Sequence, residues 1–374
     1  MVSMRISDPL LPVISEEFQI PTGDASVIAG AFAISYGISQ FLFGPLADRF
    51  GKLYILGWAL LLSVIANCGV SFSQQFDAIV FWRAVSGATT AGIVPLSMAW
   101  IGETVAYQER QPTLAKFLYG VLGGVIGGQI IGGFYADFGQ WRGSFLVVAA
   151  LYLTCLALLM ASGTAQRVIH QPETGPATKA HRHFINVFSN RWALFILCIT
   201  GIEGVFLYGA MVFIPAYLHL ELDIPLSLAG LMMSGFGLGG LLYASTARMM
   251  LSRLKETGLV WAGGVLLGIA FLLILVQVHW IIPATGIFAM GLGLYMLHNT
   301  LQTHATQMAP ASRGTAVSLF ACSLFIGQSI GISAAGVLVD FAGFTPLFWI
   351  SAIALPLLSL WFAHFLRRHP LNQR

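Results

Sequence analysis

Four ionisable side chains stand inside strongly apolar stretches: Arg5, Asp8, Arg83 and Glu203. In a hydrocarbon medium each costs about 2.5–3.5 kcal/mol on insertion scales, so such residues mark a pathway, a relay or a compensated pair. Arg5 and Asp8 are three apart, which places them on one helical face where they can pair. Glu203 falls about 12 residues into its apolar run, roughly 18 Å deep at 1.5 Å per residue. A carboxyl group at that depth is suited to loading and releasing protons. Asp8 and Glu203 are therefore the candidate proton carriers, with Arg5 and Arg83 as the charges that tune them. A purely structural ion pair or hydrogen-bonded acid is the competing account.

Polar and aromatic side chains add candidates for a solute cavity. His298, Asn299, Gln302 and His304 follow one another late in an apolar run, with His298 and Gln302 on one helical face. They line a cavity or hydrogen-bond neighbouring helices; the pattern fits both. Tyr36, Phe117, Tyr119, Phe206 and Tyr208 can form an amphiphilic wall. No GxxxxGK[ST], HExxH or GxSxG constellation occurs, so nothing points to nucleotide hydrolysis or to a catalytic centre. Gly235-Phe236-Gly237-Leu238-Gly239-Gly240 imitates a dinucleotide fingerprint but lies within an apolar run, where helix packing accounts for it. The four cysteines, Cys68, Cys155, Cys198 and Cys322, form no CxxC pair. No metal and no cofactor are expected.

The elements that must hold these residues are membrane helices. Of 374 residues, 57% are hydrophobic and only 9% charged. A soluble chain carries about 25% charged residues, and 9% cannot cover a globule of this size. Runs long enough to span a bilayer lie at 25–43, 53–73, 78–102, 113–135, 144–163, 192–218, 227–247, 257–279, 281–303, 313–338 and 345–366. Met1 to Ile14 is apolar but too short to cross, and reads as a first helix truncated at its N-terminus. Basic residues gather in the connectors around 44–52, 103–116, 164–191, 248–256 and 309–313 and in the tail. The opposite connectors hold Glu16, Glu17, Asp24, Asp77, Asp137, Glu221, Asp223 and Asp340, with Arg142 the one basic residue. The positive-inside rule then puts the C-terminus in the cytoplasm. A net charge of +3 without a basic stripe gives no nucleic-acid footprint.

The halves repeat in one register. Arg110 matches Arg313, Gly124 Gly327, Gly128 Gly331, Gly133 Gly336 and Asp137 Asp340, each pair 203 apart (340 − 137). Parallel repeats around a central pathway are a transporter architecture. Between them, 164–191 is hydrophilic and carries Pro172, Pro176 and His181-Arg182-His183, as a connector does. The expected organisation is an N-terminal bundle (1–163), a linker (164–191), a C-terminal bundle (192–366) and a tail (367–374).

The segment Gly44-Pro45-Leu46-Ala47-Asp48-Arg49-Phe50-Gly51-Lys52 resembles the GxLaDRxGrk signature of the major facilitator superfamily. Arg83-Ala84-Val85-Ser86-Gly87 resembles the family's RxxxG motif. Gly124-Val125-Ile126-Gly127-Gly128-Gln129-Ile130-Ile131-Gly132-Gly133 resembles its GxxxGPxxGG antiporter motif, with Gln129 where the motif has proline. Trp141-Arg142-Gly143-Ser144-Phe145 resembles the WRxxF opening of its sixth helix. Independently, Gly120, Gly124, Gly128 and Gly132 form a small-xxx-small row that lets two membrane helices approach closely.

The resemblance implies an all-α polytopic membrane protein of two repeated six-helix bundles. It further implies that Asp48 sits at the N-terminus of the eleventh helix, near Ser312 and Arg313, and latches the outward-open state through the helix dipole. The 44–52 segment would be the conformational-switch loop. The expected function is proton-coupled efflux of a small organic solute by alternating access, from a monomer in a bacterial inner membrane. A proton-coupled or facilitative importer, and an inactive truncated remnant, are the alternatives.

Overall fold

The computed structural model describes residues 1–162 and 185–368. Most of the expected linker, with His181, Arg182 and His183, and the end of the tail lie outside the described residues. Among the described residues the chain is helical, without strands. Short pieces come first: α1 (Val2–Arg5), a 3-10 turn (Asp8–Leu10), α2 (Leu11–Phe18) and α3 (Thr22–Ala25). The longer helices of the first half are α4 (Val27–Phe50), α5 (Lys52–Phe72), α6 (Phe76–Thr90), α7 (Ile93–Thr104), α8 (Tyr107–Asp137) and α9 (Trp141–Ala161). The second half continues with α10 (Arg191–Glu203), a π turn (Gly204–Tyr208), α11 (Gly209–Met211) and α12 (Ile214–Leu220). It ends with α13 (Leu226–Ile274), α14 (Ile281–Gln307), α15 (Arg313–Ala342) and α16 (Phe344–Arg368).

Ten helical stretches among the described residues are long and apolar enough to cross a membrane. Each of the eleven expected spans falls largely within one of them, the 49-residue α13 holding two, although α13 ends at Ile274, short of the expected 279. Its one non-helical residue is Lys255, at φ 57° and ψ 173°. The expected connector at 248–256 is therefore helix on both sides of a one-residue break. The 44–52 turn is corrected in the same way. Helix α4 runs through Gly44 and Asp48 to Phe50, and only Gly51, at φ 92°, turns the chain into α5. A positive φ suits glycine, which has no Cβ to clash. Likewise α8 starts at Tyr107, inside the expected 103–116 connector. The reason is common to all three: hydropathy marks where lipid ends, not where backbone hydrogen bonding ends.

Large apolar side chains face outward along the helices, Phe72, Leu158, Val337 and Phe341 among them. Such a surface requires lipid around it. The interior is built by close backbone approach. The first segment packs Val2 and Ile6 onto Gly124, Gly128 and Gly132 of α8, and a Cβ at Gly128 or Gly132 would run into the Val2 or Ile6 carbonyl. Ile6, Leu10, Leu11 and Ile14 are fully buried. This segment thus lies in the core as short helical pieces.

The two halves of the chain meet along α4 with α15 and α8 with α13, and they meet most tightly at one end. There Asp137 at the end of α8 accepts the Leu226 and Ser227 backbone N–H groups of α13, at 2.8 and 2.9 Å. Asp340 near the end of α15 accepts the Gly23 N–H of α3 at 2.7 Å. Gly133 presses on Leu226, Gly230 on Gln129, and Ser329 donates to the Gly30 carbonyl at 3.1 Å. The contact along α4 continues to Gly37, against Phe325 and Cys322. At the opposite end Gly44, Gly120 and Gly314 have open space where a Cβ would lie. The repeat register thus reappears as a pair of helix caps closing one end.

Candidate functional site

The first segment delivers Arg5 and Asp8 into the interior, 3% and 1% exposed. Arg5 ends α1 and Asp8 opens the 3-10 turn, so their three-residue spacing closes an ion pair of 3.4 Å between Nη1 and Oδ2. The same Oδ2 accepts the Gln129 Nε2–H at 2.9 Å. Gln129, which in the sequence stands only where the glycine motif has proline, is thus a partner of Asp8. The available signal was a lone amide in a glycine row facing a buried acid. Asp8 Oδ1 has no partner among the described residues.

Arg83 is fully buried but pairs with neither acid among the described residues. It donates to the Ser3 carbonyl at 2.7 Å, the Ile28 carbonyl at 3.2 Å and the Ser7 hydroxyl at 3.1 Å. Its guanidinium also lies over the Phe32 ring, 4.5 Å from the centroid. Arg83 thus clamps the first segment to α4, and its influence on Asp8 is positional rather than a direct contact. Five fixed N–H donors suit a guanidinium to collect several carbonyls at once.

Glu203 ends α10, fully buried, immediately before the π turn. Its Oε2 lies 2.8 Å from His298 Nδ1 on α14, while Oε1 has no partner among the described residues. Both residues stand out in the sequence, but only the fold brings them together. Asn299 instead donates to the Tyr243 hydroxyl at 3.2 Å, and Gln302 is exposed. Tyr36 is buried between Phe32 and Phe325, at ring separations of 5.9 and 4.4 Å. Tyr119 is 62% exposed on the outer surface, away from an enclosed wall.

Tyr208 is placed centrally: Arg5 lies over its ring at 4.9 Å from the centroid. Both border a cavity of 160 Å³ between the halves, with Gln328, Tyr295 and Phe236 on the second-half side and Val125 on α8. The cavity therefore joins a cationic and hydroxylic pole to an apolar one. His298, Glu203 and Asp8 stand behind its wall rather than in it.

The segment around Asp48 stands apart from the contacts between the halves. Asp48 and Arg49 are exposed, and Asp48 has no hydrogen-bond or ion-pair partner among the described residues. It does not cap α15, because α4 and α15 part beyond Gly37. Arg49 lies over the Phe50 ring at 5.1 Å, and Lys52 pairs with Glu103 of α7.

A profile of the Major Facilitator Superfamily matches residues 1–315 and 196–374. The chain is 24% identical to "Uncharacterized MFS-type transporter YceJ" of Bacillus subtilis (strain 168), over 93% of this chain and 90% of that one. It is 29% identical to "Multi-drug resistance efflux pump PmrA" of Streptococcus pneumoniae serotype 4 (strain ATCC BAA-334 / TIGR4), over 41% of each. The crystal structure of the peptide transporter POT in complex with sulfate shares the fold at a TM-score of 0.80 and 15% identity. That match covers 98% of this chain and 91% of POT. A multipass membrane architecture, paired helix caps between the halves and a family match over the whole length agree, and the chain belongs to the major facilitator superfamily.

Proposed function

We propose that the protein exports a small organic solute in exchange for protons, by alternating access between an N-terminal bundle (1–163) and a C-terminal bundle (192–366). The observation that carries the proton reading is the pair of buried carboxyl groups beside the inter-half cavity, each with one oxygen bonded and one free of donors. A proton has a place on the free oxygen without breaking the existing bond. Asp8 sits on a turn that packs against α8 of the first half and α12 and α13 of the second, so a change in charge there bears on how the halves pack. The outward direction is supported by the efflux relative PmrA and by the antiporter-like glycine row.

The basic residues sort to the end carrying Asp48, which is assigned to the cytoplasm together with the C-terminus. On this reading the open end faces inward, and the protein acts as a monomer in a bacterial inner membrane. The test is reconstitution in liposomes with an imposed pH gradient and a broad panel of drug-like and sugar-like solutes. Solute-dependent dissipation of the gradient is expected, lost in Glu203→Gln. Solute counterflow that persists without any proton movement in the unmodified protein would remove the coupling. Failure of every solute to move would remove transport of this class.

A further inference from the structure

The buried charges around the first segment do not balance. Two guanidinium groups, Arg5 and Arg83, face one carboxylate, Asp8, and all three are at most 3% exposed. Glu203 is already engaged by His298. Arg83 spends its donors on the Ser3 and Ile28 carbonyls and the Ser7 hydroxyl. Arg5 does not: its one hydrogen bond among the described residues is the long 3.4 Å contact to Asp8. Arg5 lines the 160 Å³ cavity, and among the described residues no other acceptor meets its N–H groups. An excess cation in a low-dielectric interior is costly, and a guanidinium fork matches a carboxylate in two parallel hydrogen bonds.

The surroundings of Arg5 are built for the same ligand. The Tyr208 ring lies beneath the guanidinium, 4.9 Å from its central carbon. Gln328, 3% exposed, borders the cavity with its amide unpartnered among the described residues. Tyr295 stands on the same wall, and Val121, Val125 and Phe236 supply an apolar pole. A volume of 160 Å³ corresponds to about five waters at roughly 30 Å³ each, the bulk of a single-ring acid. We propose that Arg5 and Gln328 form a carboxylate-binding subsite, so that the transported solute is a small organic anion with an apolar body. This rests on the transport reading above and supplies its substrate class.

Benzoate, benzamide and benzylamine share a shape and differ in charge, which makes them suitable probes. Equilibrium binding and the ligand-induced rise in Tm are measured on the purified full chain. Benzoate is expected to bind about ten- to a hundredfold more tightly than benzamide, the range of a charge-assisted hydrogen bond to a desolvated fork, with benzylamine weakest. Arg5→Gln is expected to bring benzoate down to the level of benzamide, while Arg5→Lys keeps part of the preference. Gln328→Leu keeps the wild-type fold accessible if Arg5→Gln is unstable, and is expected to weaken benzoate more than benzamide. Equal binding of the three probes, a preference for benzylamine, a charge preference that survives Arg5→Gln, or no binding of benzoate would each overturn the inference. If the protein dissipates a pH gradient with cationic solutes only, transport stands and the anion subsite falls. If benzoate binds through Arg5 but no solute moves, the subsite stands and transport falls.

Discussion

At one end of the molecule the carboxylates of Asp137 and Asp340 each take backbone N–H groups from the opposite half of the chain. At the other, the carboxylate of Asp48 also stands near the end of a long helix, yet it meets no donor among the described residues. The chemistry available at the two ends is the same: an acid, a helix N-terminus across the interface and glycines that permit contact. What differs is separation. Where Gly133 touches Leu226 and Gly336 touches Gly23 the caps close; where Gly44 and Gly314 face open space they do not. Rigid halves that rock about a central contact can satisfy one end or the other. If that end closes in the alternate state, Asp48 is the acid that would meet a helix N-terminus there, as the expected latch does.

The largest break in that comparison comes from a wedge. Gly133→Val puts branched carbons into the Leu226 backbone, which overpacking penalises by about 1–3 kcal/mol. Gly120→Val, one helix end away in open space, should stay within about 0.5 kcal/mol. Thermal unfolding of the two variants is expected to separate them clearly. Equal loss in both would mean that the glycines of α8 serve only its helix and not the closed end.

Removing the caps comes next. Asp137→Ala together with Asp340→Ala deletes side-chain acceptors worth about 0.5–2 kcal/mol each. Hydrogen exchange at the first turns of α3–α4 and α13 is expected to quicken. Asp137→Asn should do much less, since asparagine caps nearly as well as aspartate. If Asn and Ala behave alike, the negative charge facing the helix dipole matters more than the hydrogen bonds.

These caps also show what could be read from the chain beforehand. Asp137 and Asp340 were visible as a repeated pair, because the repeat is a matter of sequence register alone. So was the Arg5–Asp8 pair, a local contact three residues long. Their partners were not legible. Gln129 lies 121 residues from Asp8, and His298 lies 95 residues from Glu203; only tertiary packing decides which buried polar groups find each other. The helix ends at Phe50, Tyr107 and Lys255 escaped for another reason. Ala, Leu, Met, Arg and Lys continue a helix readily past the lipid boundary, so a fall in hydropathy there does not signal a turn.

The smallest effect on the present state, and the most discriminating, is expected at Asp48. The side chain is exposed and has no partner among the described residues, so Asp48→Ala should leave unfolding within about 0.5 kcal/mol of the unmodified protein. Exchange at the Asp137 end should rise no further than normal, since nothing there depends on Asp48. Transport is where the substitution should register. If the carboxylate closes onto the start of α15 in the alternate state, its loss removes a stabilisation of about 0.3–1 kcal/mol, up to ~2 when partly buried. That displaces the balance of states by a few-fold, toward the inward-facing arrangement. The matched experiment compares Asp48→Ala with Lys52→Ala, whose exposed pairing to Glu103 holds α5 to α7 within one half and is worth at most about 1 kcal/mol. A slowed turnover in Asp48→Ala but not in Lys52→Ala would tie the latch to the interface between halves. Equal slowing would place the effect in the turn at Gly51, and the two ends would then no longer be alternatives of one device.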